Sequence, residues 1–316
     1  MLLEHNPDSF MTGRDPFVNL DIVEKTSSAL VQDLTFEPHH EGFMGIPHGG
    51  LAMGLCLDQW RGVGRPLYPV TVNFKFGGSG LPIGAPALFS VKLQEESRQG
   101  PRIIAEIIKH GETRPYLRAD IAPAKAESAS IGLPEPPGND FRMLPYYENC
   151  FVCGHHRTAP GLRRRFRVHT MNESPVTTVL WGLDNNHHEL VEDFLIGKEE
   201  LHPAVLISIF DENTAWAGFF RTGGAGLSVR LDFTLLRPVG KSEKLMFMGW
   251  PAGIRGNPKA PRFFRANGMI VSLADPVNPE PVAHGWGEWL IMAQYTRQIK
   301  ENLLPREDWQ WIFPDQ

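Results

Sequence analysis

Two stretches of the chain set a histidine before an apolar run and a carboxylate further along it. In "GIPHGGLAMGLCLDQW", His48 precedes Gly49 and Gly50, and Asp58 follows; in "LHPAVLISIFDENTAW", His202 precedes Pro203 and Ala204, and Asp211 follows. Each run reads as a helix beginning just after its histidine. The first turn of a helix carries backbone N–H groups without partners and a partial positive charge. Such donors suit a carbonyl oxygen that becomes an oxyanion, and glycine lets the carbonyl approach without meeting a Cβ. A carboxylate on the helix could attack that carbonyl or activate a water. Gly49 offers an N–H for this purpose, whereas Pro203 has none.

The elements around these helices repeat. Before the first comes the strand-like "SALVQDLTF"; after it come "YPVTVNFKF", "APALFSVKLQEES", "RIIAEIIKHG" and "YLRADIAP", each with alternating or β-branched residues. The second helix follows "VTTVLWGL" and precedes "GLSVRLDFTLLRPVG", "KLMFMGWPAG", "RFFRANGMIVSLAD" and "PVAHGWGEWLIMA". Between the halves, "APAKAESASIGLPEPPGND" has a linker's composition. We expect an α+β protein made of two tandem units, residues 1–125 and 145–316, joined by a linker over 126–144, each unit laying one long helix on an antiparallel sheet.

"PHGGLAMGL" resembles the His-Gly-Gly helix start of the hotdog-fold acyl-CoA thioesterase superfamily, and "CFVCGHHRTAPGLRRRF" resembles a Cys-Phe-x-Cys-Gly segment found in one branch of it. "VRLDFTLLRPVG" is similar to the strand after the helix, with Arg237 in its Arg-Pro turn. The resemblance implies two hotdog domains forming a pseudo-dimer within one chain. It also implies acyl-CoA or an acylated carrier protein as substrate, no cofactor, and further pairing of double units into a homodimer.

In that superfamily an acid stands nine residues after the histidine. Asp211 holds that place after His202, but in the first half Leu57 holds it and Asp58 comes one residue later, about 100° further around the helix. From Gly49 to such an acid along one helix is about 12 Å, too far for one small carbonyl. The superfamily that this chain resembles solves this with a dimer, in which the start of one subunit's helix faces the acid of the other, and the resemblance implies that the two halves here pair in the same way within one chain. The pairing of His48, Gly49 and Gly50 with Asp211 has both parts; the pairing of Pro203 with Leu57 has neither. We expect one composite site, with Asp211, Gly49 and His48 catalytic, and with Gly50, Thr214, Asp58, His202 and Arg237 binding substrate. His48 reads better as a loop-holding hydrogen-bond partner than as a base, Glu212 as a cap or solvated residue, and Asn213 as a helix-surface residue. A hydratase or dehydratase of acyl thioesters and a non-catalytic acyl-CoA binder are the alternatives; no Asp-x-x-x-x-His pattern of the dehydratase type precedes either helix.

Composition narrows the classes further. Apolar residues at 42% and charged residues at 21% are those of an ordinary globular protein. A net charge of -5 speaks against general nucleic-acid binding. No apolar run approaches the roughly 20 residues that span a bilayer, and "MLLEHNPDSF" has no signal-peptide pattern, so no membrane role and a cytoplasmic location are expected. Arg163, Arg165 and Arg167 would share one face of a strand and could meet phosphates, although a solvated strand face explains them as well. The hairpin-like stretch from Gly249 to Gly268, with Arg255, Lys259, Arg262 and Arg265, leaves the same choice. Cys150 and Cys153, with His155 and His156 behind them, have the spacing of half a zinc site. Completion would need His169, His187 or His188, so the cysteines are read as core residues leading into a strand, and no metal is expected. His39 and His40 read as a polar loop.

Overall fold

The computed structural model describes residues 18–25, 29–60, 68–78, 80–94, 101–124, 140–155, 157, 160–171, 174–183, 194–196, 199–257, 260–304 and 306–313, omitting the side chains of 18–25. Most of the expected linker, His156, His187, His188 and Lys259 lie outside these residues.

The alternating segments form strands. Those before the second helix are β1 (Val18–Lys25), β2 (Ala29–Phe36), β3 (Glu41–Phe43), β4 (Ile46–Pro47), β5 (Val70–Phe76), β6 (Pro86–Gln94), β7 (Arg102–Lys109), β8 (Leu117–Pro123), β9 (Arg142–Met143), β10 (Phe166–Met171), β11 (Ser174–Trp181), β12 (Leu195–Ile196) and β13 (Glu200–Leu201). After it come β14 (Gly226–Leu235), β15 (Leu245–Asn257), β16 (Ala260–Ser272) and β17 (Glu280–Ile291). The helices are α1 (Gly49–Asp58), α2 (Pro203–Thr222), α3 (Ala293–Leu303) and the single turn α4 (Trp309–Ile312).

One antiparallel sheet of 13 strands runs β1-β2-β6-β7-β8-β5-β14-β17-β16-β15-β11-β10-β9. The series β2-β6-β7-β8-β5 mirrors β11-β15-β16-β17-β14, and the two meet where β5 pairs with β14, Val72 opposite Phe233 and Phe74 opposite Leu231. The hairpin expected around Gly249 to Gly268 is β15 with β16. The Arg163–Arg165–Arg167 strand face does not form, because β10 begins only at Phe166 and Arg163 has a φ of 52°. Arg164 is buried over the Trp181 ring.

The two long helices lie in the core. Every residue of α1 from Gly50 to Asp58 is buried, as expected for a helix apolar all round. A Cβ on Gly50 would lie 2.2 Å from Ser208 Cα, and one on Gly54 2.2 Å from Ala204 Cβ. Four residues forward on α1 thus match four backward on α2, so the helices run antiparallel with their backbones almost touching. Only glycine permits that approach. It brings the start of each helix beside the middle of the other.

Candidate functional site

Each helix start is built the same way. His48 Nδ1 accepts the Gly50 N–H at 3.0 Å, and His202 Nδ1 accepts the Ala204 N–H at 3.0 Å. A neutral ring that accepts at Nδ1 carries its proton on Nε2. His48 Nε2 points at Glu212 Oε2 across 3.3 Å, and His202 Nε2 at Asp58 Oδ1 across 3.1 Å. Asp58 and Glu212 each stand ten residues after their own histidine, so they are counterparts, and each binds the histidine of the other half. Glu212 is no simple cap: its side chain is 14% exposed and lines a cavity.

The His202–Asp58 pair is sealed, with side chains 0% and 1% exposed. Removing the Asp58 carboxylate strands the neutral His202 Nε2–H away from water, at a cost of about 2 kcal/mol. Asp58→Ala should therefore lower the unfolding free energy by about that amount, and Glu212→Ala by less, because Glu212 faces the cavity. Denaturant unfolding of both variants measures the difference.

At the other pair the protein opens. A cavity of about 610 Å³ is lined by His48, Gly49, Asp211 and Glu212 together with apolar side chains including Trp216, Phe219 and Ile299. A methyl group on Gly49 would lie 3.2 Å from Asp211 Oδ2 and 3.4 Å from Phe76 Cζ, so the carboxylate stands directly beside the first residue of α1. Among the described residues, none accepts a hydrogen bond from the Gly49 N–H. Ser228 Oγ donates to Asp211 Oδ1 at 2.9 Å and leaves Oδ2 toward Gly49. Burial raises the Asp211 pKa from its ordinary value, and the charge of Glu212 adds to this, while His48 and Ser228 oppose it. Burial likewise raises the thiols of Cys150 and Cys153, which also line the cavity.

The remaining sequence-expected residues lie elsewhere. Gly50 packs on Ser208 and gives its N–H to His48. Thr214 is buried and donates its hydroxyl to Phe210 O at 2.7 Å. Asp58 and His202 form the sealed pair, and Arg237 binds Glu243 at 2.7 Å and Glu280 at 3.4 Å. None of these five lines the cavity. Asn213 is a core residue, 1% exposed and bonded to Thr177 O.

Sequence comparison with family models and with curated proteins finds no match. The architecture, by contrast, has many solved relatives. A Thermobifida fusca protein provisionally described as a thioesterase II aligns with a TM-score of 0.53 at 14% identity, over 85% of this chain and 96% of its own. The tesB protein of Mycobacterium avium subsp. paratuberculosis aligns with a TM-score of 0.52 at 12% identity, over 86% and 96%. The chain has a hotdog fold. A dehydratase from the difficidin assembly line shares this hotdog architecture with a TM-score of 0.56 at 11% identity, over 85% and 95%. At such identities the likeness fixes the fold and leaves the chemistry to the residues.

Proposed function

We propose that this protein is a double-hotdog thioesterase, with hotdog units over 1–125 and 145–316, that hydrolyses acyl-CoA or an acylated carrier protein at one composite site. The observation that carries the reading is the meeting of Gly49 and Asp211 on the wall of a mostly apolar cavity. The acyl chain lies along the apolar wall and the thioester carbonyl points at the Gly49 N–H. Asp211 takes a proton from a water whose oxygen adds to the carbonyl carbon, and the oxyanion rests on that N–H. Collapse breaks the C–S bond, and the proton held by Asp211 passes to the leaving thiolate, giving a carboxylic acid and a free thiol. His48 acts as a positioning residue, because both ring nitrogens are engaged, one by Gly50 and one by Glu212. That engagement also favours hydrolysis over dehydration, which would need an acid or base free to reach the acyl chain.

The test is a panel of acyl-CoAs followed by free-thiol release and by mass analysis of the acyl product. Hydrolysis releases thiol; a dehydratase would change the acyl chain without releasing it, and a binding protein would do neither.

The pH profile adds a second check. Asp211 works ionised, so kcat/KM should fall on the acid side as pH drops through its raised pKa, at a higher pH than an aspartate of ordinary pKa near about 3.9 would give. A limb placed at the ordinary value would remove Asp211 as the base. Stability runs the other way: the folded state holds this proton more tightly than the unfolded chain, so the Asp211 contribution grows as pH falls through that window.

A further inference from the structure

The direction of the cavity beside Asp211 can be read from α2. Asp211, Glu212, Ala215, Trp216 and Phe219 all line it, and their spacing places them on one face of the helix. Phe219 stands eight residues after Asp211, which is about 12 Å along the axis. The exposed glycines Gly77 and Gly78 line the cavity next to Phe76, whose ring lies beside Gly49. The way in from solvent is therefore at the Gly49 end. Phe219 stands well beyond it and is 7% exposed.

Phe219 is held in place by three aromatic neighbours. Its ring centroid lies 5.5 Å from Trp216, 5.6 Å from Phe264 and 6.3 Å from Phe313, with the first two edge-on, a favourable arrangement for such rings. Lys300 Nζ stands 5.8 Å from the centre of the same Phe313 ring, which brings this part of α3 up to Phe219. Behind Phe219 is a second cavity, of about 560 Å³, lined by Thr222, Pro261, Ile291, Lys300 and Trp309 among others. Thr222 follows Phe219 by one turn of α2. The partition between the cavities is one residue thick. Leu290 and Met292 line the first and Ile291 and Ala293 the second, and on α3 Ile299 lines the first and Lys300 the second. Neither Gly49 nor Asp211 lines the second cavity, so it has no part in binding a carbonyl at the Gly49 N–H.

An extended alkyl chain built from C–C bonds of about 1.5 Å advances about 1.25 Å per carbon, so about 12 Å holds roughly ten carbons. We propose that Phe219 is the specificity-determining residue of the acyl cavity, closing it at that depth and limiting the substrate to medium-chain acyl groups. Each methylene missing from a shorter chain loses about fourfold in affinity, the apolar area it would have buried. A longer chain must drive Phe219 out from among Trp216, Phe264 and Phe313 or double back on itself. The position of the carbonyl rests on the thioesterase reading, whereas the depth of the cavity does not, and the test separates the two.

The full-length chain is given saturated acyl-CoAs from about half to about twice that length. Thiol release gives kcat/KM for each, and calorimetry gives the dissociation constants of the matching nonhydrolysable thioethers. Both series are expected to improve up to about ten carbons and then to worsen by about tenfold or more, as overfilling a packed site does. Phe219→Ala opens the partition and should raise the preference for the longest chain over the ten-carbon one by about tenfold or more. Ile299→Trp fills the cavity from α3 and should move the optimum to shorter chains. Circular dichroism shows whether each variant is folded, and if Phe219→Ala is not, the natural series and Ile299→Trp decide. A break in thioether affinity near that length without any thiol release would remove the thioesterase reading and support the length limit. The limit is overturned if affinity and turnover climb unbroken through the longest chain, or if a folded Phe219→Ala keeps the natural chain-length profile.

Discussion

Asp211→Asn is expected to lower kcat for acyl-CoA hydrolysis by about 10²- to 10⁴-fold, the range typical of removing a positioned acid–base group. The amide keeps the size and the contact with Ser228 but cannot take a proton from water. The loss should appear with little change in KM, since the apolar wall that holds the acyl chain is untouched. Folding should not suffer. The carboxylate is buried beside Glu212, which raises its pKa, so the neutral amide removes a charge that burial disfavours and the variant should be at least as stable at neutral pH. Asp211→Glu should not restore full activity, because the extra methylene moves the carboxylate away from the Ser228 hydroxyl that holds it. Asp58→Asn is the control, since Asp58 lies in the sealed pair away from the cavity. An Asp211→Asn enzyme with undiminished kcat, or an Asp58→Asn enzyme without activity, would move the chemistry elsewhere.

Gly49→Pro should cost about 10²- to 10³-fold in kcat, as the loss of one oxyanion donor does elsewhere. Proline is well tolerated at the first position of a helix, and Pro203 occupies that place at the start of α2, so the backbone can accept the change. Gly49→Ala separates the two properties of this residue. It keeps the N–H but brings a methyl 3.2 Å from Asp211 Oδ2 and 3.4 Å from Phe76 Cζ, crowding the substrate and raising KM more than it lowers kcat. Steady-state kinetics on both variants decide the matter: equal losses of kcat would mean that crowding matters and the N–H does not.

The parts that the sequence announces are those whose residues act locally. Alternation marks the paired strands, and unbroken apolar runs mark α1 and α2, because burial on one face or on all faces leaves a period in the chain. What escaped depends on contacts between distant residues. Ser228, which holds Asp211, is one serine on a strand with nothing nearby to mark it. Helix α3 brings Tyr295, Ile299 and Leu303 to the cavity, but its apolar residues are few and the segment reads as polar; Ile299 and Leu303, four apart, were the available sign. The cross-paired acids had a clearer one. Asp58 after His48 and Glu212 after His202 share the same ten-residue interval, and this repeat shows Asp58 to be the twin of Glu212. Reading the acids against a nine-residue spacing hid it.

The seam where β5 meets β14 also bears on how the protein can change over generations. Two identical subunits facing one another must carry every substitution twice, so neither end of their shared centre can lose a group unless the opposite end loses it too. A chain that encodes both faces separately escapes that constraint. On the double-hotdog reading proposed above, that freedom lets Pro203 and Leu57 stand at one end as filling while Gly49 and Asp211 serve the other, with the cross-bonded histidines common to both.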